Sequence, residues 1–217
     1  TECGVLVGGV LLILGVAPAP LLFALWVGYL SLLTIARDFL SFQWDILLLE
    51  VGFLAIFFAP LQMGPRSSRP SPPSATILWL LRWLLFRLMF SSGVVKLASG
   101  DATWRSLTAL SYHYETQPLP PWTGWYMHQL TGWFQQASVL AMFAVELILP
   151  WLIFGPRRCR MVACAGFVAF QALIIATGNY GFFNLLTVGL CVLLLDDGMW
   201  PRRLREFIAR LDDGARN

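Results

Sequence analysis

Five ionisable side chains lie in stretches that are otherwise almost wholly apolar: Glu50, Arg82, Arg87, Lys96 and Glu146. A charge at the centre of a bilayer costs roughly 2.5–3.5 kcal/mol even on lenient scales, so such residues face a bundle interior and pair. Lys96 has the widest chemical range among them, because a lysine desolvated at a membrane interface can serve as a general base. The catalytic candidates are therefore Lys96, with Glu50 as its partner and His113 as a proton shuttle. The plainer alternative is registry, in which an ion pair does no more than fix how helices align. Arg87 with Glu146 is expected to be such a structural pair. Other polar groups fall at helix ends and links: Trp44, Asp45, Asp101, Trp104, Arg105, Tyr114, Glu115, Asn179 and Asn184. They are expected to line a cavity open to one membrane face, where a client or ligand would contact them.

Other chemistries lack their residues. Cys3, Cys159, Cys164 and Cys191 form no C-x-x-C and no Cys/His set, so no metal site is expected. There is no Ser-His-Asp spacing and no phosphate-binding glycine loop. A net charge of +3 says little by itself, and with no basic stripe no nucleic-acid partner is expected. No motif identifies a cofactor.

These residues must be carried by membrane helices. Of 217 residues, 58% are hydrophobic and 12% charged, about half the charge of a soluble domain. The 10 tryptophans suit aromatic belts at a membrane interface. Pro18 and Pro20 split the first apolar block into a helical hairpin, roughly 4–17 and 20–36. Further helices are expected at about 44–61, 75–97, 134–154, 161–177 and 182–195. The fold class is thus all-α, a polytopic transmembrane bundle of about seven segments. The loop 98–133 is less apolar and rich in Tyr and Trp, and reads as an outer interfacial loop with room for one helix in the membrane plane. Residues 1–200 form the membrane domain, and 201–217 a cytoplasmic amphipathic tail that is cut short. Thr1 reads as an internal position of a longer protein.

Arginines set the orientation. Arg66 and Arg69, then Arg157, Arg158 and Arg160, then Arg202, Arg203, Arg205 and Arg210 fall on one side by alternation of seven crossings, taken as cytoplasmic. Depth, counted at about 1.5 Å per residue, puts Lys96 at the end of its helix and Glu50 one turn in. Arg87 and Glu146 then both lie near mid-membrane. The expected neighbours are Glu50 with Lys96 and Glu146 with Arg87, while Arg82 snorkels to the cytoplasmic face.

Several stretches resemble the lipase maturation factor family. They include Phe39-Leu40-Ser41-Phe42-Gln43-Trp44-Asp45, Leu84-Leu85-Phe86-Arg87-Leu88-Met89 and Thr103-Trp104-Arg105-Ser106-Leu107-Thr108. The most distinctive are His113-Tyr114-Glu115-Thr116-Gln117-Pro118-Leu119-Pro120 and Gly178-Asn179-Tyr180-Gly181-Phe182-Phe183-Asn184. The matches run in order through nearly the whole chain. The resemblance implies a membrane factor needed for secreted lipases to fold and assemble, with membrane lipids and a lipase client as partners. Animal members of that family reside in the endoplasmic reticulum membrane. The short loops and arginine-rich, lysine-poor composition favour a bacterial inner membrane here. The family's further N-terminal membrane sequence and large C-terminal soluble region have no counterpart in this chain.

A more distant likeness touches mechanism. Ser92-Gly93-Val94-Val95-Lys96-Leu97, followed by Asp101 and Trp104, is similar to a segment of the vitamin K-dependent γ-carboxylase (HTTM) superfamily. There the corresponding lysine is the base that deprotonates a hydroquinone. This implies a second reading, an enzyme acting on a quinone-like, lipid-soluble cofactor or modifying a client, with Lys96 as base. Transport is a third, weakened by the lack of an internal repeat.

Overall fold

The computed structural model describes residues 2–61, 73–117 and 120–200, with Arg203, Glu206 and Phe207. Among the described residues the regular elements are helices, and no strand occurs. In chain order they are α1 (Glu2–Ile13), α2 (Pro18–Ile35), α3 (Gln43–Phe58), α4 (Ala75–Ala98), α5 (Ala102–Arg105), α6 (Ala109–Thr116), α7 (Trp122–His128), α8 (Gly132–Phe143), α9 (Arg157–Thr177) and α10 (Phe182–Val192). A π-helical turn, Ala144–Ile148, and a 3-10 stretch, Leu149–Phe154, continue α8 to the next link.

Four helical stretches are long and apolar enough to cross a membrane: Pro18–Ile35, Ala75–Ala98, Gly132–Phe154 and Arg157–Thr177. The other three expected segments coincide with helices of 10 to 17 residues, below the roughly 20 that a bilayer needs. The side chains fit lipid as solvent. Leu6, Ile13, Ile35 and Leu140 are among many large apolar residues that face outward. The basic segment holding Arg66 and Arg69, and most of the tail from 201, lie outside the described residues.

The chain divides into two compact units, residues 1–81 with 200–217 and residues 82–199. In the first, Pro18 and Pro20 open α2 rather than merely interrupting a helix. A first turn needs no backbone donor and suits proline, and Gly15 and Ala17 make the bend with positive φ. Helices α2 and α3 are tied by Trp26, whose Nε1 donates to the Leu49 carbonyl at 2.9 Å, and by Tyr29, whose hydroxyl donates to Asp45 at 2.5 Å. Helix α3 stops before Pro60, which holds Ala59 in an extended conformation.

The second unit is built on α4, the 132–154 stretch, α9 and α10, with Leu85, Val139, Phe167 and Cys191 completely buried. An aromatic ladder, Phe86–Phe90–Trp151 with Phe154, has ring centroids 5.1–5.5 Å apart. The stretch 98–133, expected as a loop with at most one helix, is folded into three short helices instead: α5, α6 and α7. Asp101 starts α5 by accepting from the Thr103 backbone at 2.9 Å.

Candidate functional site

One proline shapes the centre of the second unit. Pro150 has no N–H to donate, and its ring crowds the carbonyl four residues back, that of Glu146. The helix therefore widens to a π turn over Ala144–Ile148 and tightens to 3-10 after it. Gly93 on α4 lets this turn approach closely: a Cβ there would lie 2.6 Å from Leu147 Cδ2 and 3.1 Å from Glu146 Cβ. Three residues on, Lys96 Nζ donates to both Glu146 oxygens, at 2.6 and 2.8 Å, and lies 3.4 Å from the Ser92 carbonyl. Glu146 is only 4% exposed. Helix α5 then brings the Trp104 ring over the ammonium, 5.5 Å from centroid to Nζ.

The pairing differs from expectation. Glu146 takes Lys96, where Arg87 was expected. Counting depth assumed that α4 ends where α8 begins. Gly93 touches Leu147, so those positions share a level. From there α4 has about 7 Å left to run, whereas Gly132 lies about 20 Å away. The start of α8 thus stands well beyond the end of α4, flanking the 99–131 segment. Gln135 Nε2 donates to the Met127 carbonyl at 2.6 Å from that extension.

Beside the ion pair, two sequence stretches lock together. The His113 and Tyr180 rings are parallel, with Tyr180 Oη 3.2 Å from His113 Nε2. Burial, and then the charge of Lys96, hold the His113 imidazole below its usual value. Burial raises the Tyr114 and Tyr180 hydroxyls, so all three groups are neutral near pH 7. The Gln117 side chain inserts between Gly124 and Gly178, and its Nε2 donates to the Thr177 carbonyl at 2.9 Å. A Cβ on either glycine would come within 3.1 Å of the Gln117 amide. Thr123 donates to the neighbouring Ala176 carbonyl. The last carbonyls of α9, which a helix end leaves without partners, are capped in this way by side chains of the 99–131 segment.

The remaining candidates are scattered. Asp101, in the α4–α5 turn, and Arg105, at the end of α5, are exposed, and Arg105 reaches back to the Leu97 carbonyl at 3.5 Å. Bonds from the Thr103 backbone and hydroxyl lower the Asp101 carboxyl. Glu115 pairs with His128 at 2.9 Å. Asn179 is exposed, whereas Asn184 is buried and donates to Gln171 at 2.7 Å. Trp44, Asp45 and Glu50 belong to the first unit. There Trp44 stacks on Phe42, and Asp45, 1% exposed, accepts from the Phe42 backbone at 3.1 Å and from Tyr29. That makes Asp45 a buried clasp at the start of α3. Sequence reasoning missed Gln117, Tyr180 and Gln171. The first two lie inside the most distinctive stretches, which was their only signal.

The opposite end of the unit is closed ionically. Arg160 and Arg82 both reach Asp196, the latter at 3.7 Å, and Arg82 Nε donates to the Leu193 carbonyl at 3.0 Å. Among the described residues no cluster of His, Cys, Asp and Glu is arranged to hold a metal.

A family model described as the lipase maturation factor transmembrane domain matches residues 1–202. The chain is similar to lipase maturation factor 2 of Xenopus laevis, 57% identical over 175 residues that cover 80% of this chain and 25% of the frog protein. The human lipase maturation factor 2 is 50% identical over 184 residues, 80% of this chain and 26% of that protein. Lipase maturation factor 1 of Bos taurus is 36% identical over 217 residues, 97% of this chain and 38% of that protein. The chain thus spans about a quarter of the length of the first two relatives. No solved structure matches it.

Proposed function

The chain belongs to the lipase maturation factor family, and we propose that it is the membrane-embedded helical domain through which a maturation factor acts on secreted lipases. The observation that carries this is the match of a transmembrane-domain family model to residues 1–202. The names of its relatives, lipase maturation factors 1 and 2, supply the client class. On this reading the domain acts as a scaffold and maturation factor rather than by bond chemistry, with the 99–131 segment on the side where the client is handled.

Seven crossings remain the topology we favour, with α1, α3 and α10 tilted or locally thinning the bilayer. The basic start of α9 then lies on the cytoplasmic side and the 99–131 segment on the lumenal side. The relatives are vertebrate proteins, so the endoplasmic reticulum membrane is the location we propose. The bacterial inner membrane favoured by composition draws no support from them.

The enzyme alternative requires Lys96 to offer a free amine to a quinone-like cofactor. Its ammonium donates instead to Glu146 and the Ser92 carbonyl, beneath the Trp104 ring. That geometry favours the scaffold reading.

The test is complementation. A full-length protein containing this chain is expressed in cells lacking their own lipase maturation factors. Secreted lipase activity per unit of lipase protein is then measured. Recovery is expected; no recovery at normal membrane expression would overturn the proposal.

A further inference from the structure

We propose that the outward face of α7 and the start of α8 is a bilayer-interface surface, with Trp122, Trp125, Tyr126 and Trp133 resting in the lipid headgroup layer. Their exposure is 76%, 59%, 60% and 70%. Such a cluster of large aromatic rings in water is costly unless something covers it.

Three observations identify lipid as the cover. The first is level. Thr123 donates to the Ala176 carbonyl and Gln117 to that of Thr177, in the last turn of a 21-residue apolar span. Gly124 leaves no room for an intervening layer, since a Cβ there would stand 3.1 Å from the Thr177 oxygen. Helix α7 is thus fixed at the end of α9, where hydrocarbon gives way to headgroups.

The second is charge. From Thr116 to Val145 the sequence has no Asp, Glu, Lys or Arg. His128, the one basic side chain of α7, pairs with Glu115. A protein-docking surface carries a polar and charged rim. An uncharged run rich in indole and phenol rings, apolar in body and polar at one edge, suits the headgroup boundary.

The third is continuity. Leu173 and Ile175, on the last turns of α9, are exposed apolar side chains, as a span with lipid for solvent requires. The α7 face carries that surface outward from the hydrocarbon. This proposal stands independently of the lipase reading.

The test uses the whole chain reconstituted in phosphatidylcholine vesicles. Indole fluorescence is quenched either by lipids brominated at defined acyl depths or by aqueous iodide. Subtracting the Trp122→Phe/Trp125→Phe variant isolates the two indoles. Both side chains are exposed, and phenylalanine keeps an aromatic ring at each. Bromine near the glycerol backbone should remove most of the difference signal, while iodide leaves it nearly intact. A Tyr126→Trp variant adds an indole to the same face without removing one, and its added emission should follow the same depth profile. Strong iodide quenching with little effect of bromolipid would overturn the proposal and mark a water-facing surface for a protein partner. Strongest quenching by bromine at the acyl terminus would also overturn it.

Discussion

The two ends of the second unit solve the same problem in different ways. At both, helices that cross the membrane must turn back and satisfy their terminal carbonyls. At the end near Gly155, the link is short and the carbonyls of Leu193 and Leu194 are taken by Arg82 and Arg160, which share Asp196. These are long, charged side chains, and Asp196 remains half exposed. At the other end a folded segment covers the helix ends, and the carbonyls of α9 are taken by neutral Gln117 and Thr123. The charge there is buried beneath the cover, as Lys96 with Glu146. An exposed ionic end can lose a bond to water at little cost, whereas a covered end cannot.

Substitutions should separate the ends by size of effect. Lys96→Met leaves the Glu146 carboxylate buried without its cation. It should lose about 3–5 kcal/mol in detergent unfolding. Lys96→Met/Glu146→Leu removes both charges and should regain most of that loss. If the double variant were no better than the single one, the pair would not be the source of the cost.

Gly93→Val comes next. The added atoms meet Leu147 at the π turn, and overpacking should cost about 1–3 kcal/mol. Leu147→Ala should relieve part of it. Gln117→Leu should follow at about 1 kcal/mol. Its clearer signature is local, with faster amide exchange in α7 while α4 and α9 stay protected.

Acidification should loosen the same end. The His113 imidazole lies below its usual 6.5 in the folded protein. Its contribution is present above 6.5 and is lost as pH falls through the lower, folded value. Lys96, Tyr114 and Tyr180 face it, and none offers a carboxylate to welcome the proton. Exchange in α6 should therefore rise below pH 6.5 in the parent protein, more steeply than in His113→Gln. His128→Gln serves as the control for the Glu115 pair. The smallest effect belongs to the ionic end, where Asp196→Asn should cost about 0–1 kcal/mol and less in high salt. A cost there as large as that of Lys96→Met would erase the contrast between the ends.

The helix positions were legible because apolar runs end at Pro18, Pro156 and Gly178, where backbone chemistry forbids continuation, whereas the third helix, expected to run to residue 61, stops at Phe58 ahead of Pro60. Lys96 and Glu146 were legible as anomalies, since charge in an apolar run demands a partner. Their pairing with each other was not. It depends on Pro150 opening the helix at Glu146 and on α8 starting beyond the end of α4, neither of which a count of residues contains. Asp45 was legible as polar but not as a clasp, because its partner Tyr29 lies 16 residues away on another helix. Gln117 was the hardest to see. A neutral amide among turn residues breaks no rule of burial, and only the folded segment reveals the two glycines that hold it.

The most direct test is made on a full-length protein containing this chain, in cells lacking their own lipase maturation factors. Secreted lipase activity and the amount of folded protein in the membrane are measured side by side for the parent, Lys96→Met and Lys96→Met/Glu146→Leu. If Lys96 holds the domain together, activity should fall with the single variant as folded protein falls, and return with the double. A double variant that folds like the parent yet yields no active lipase would contradict this and make Lys96 a participant in chemistry.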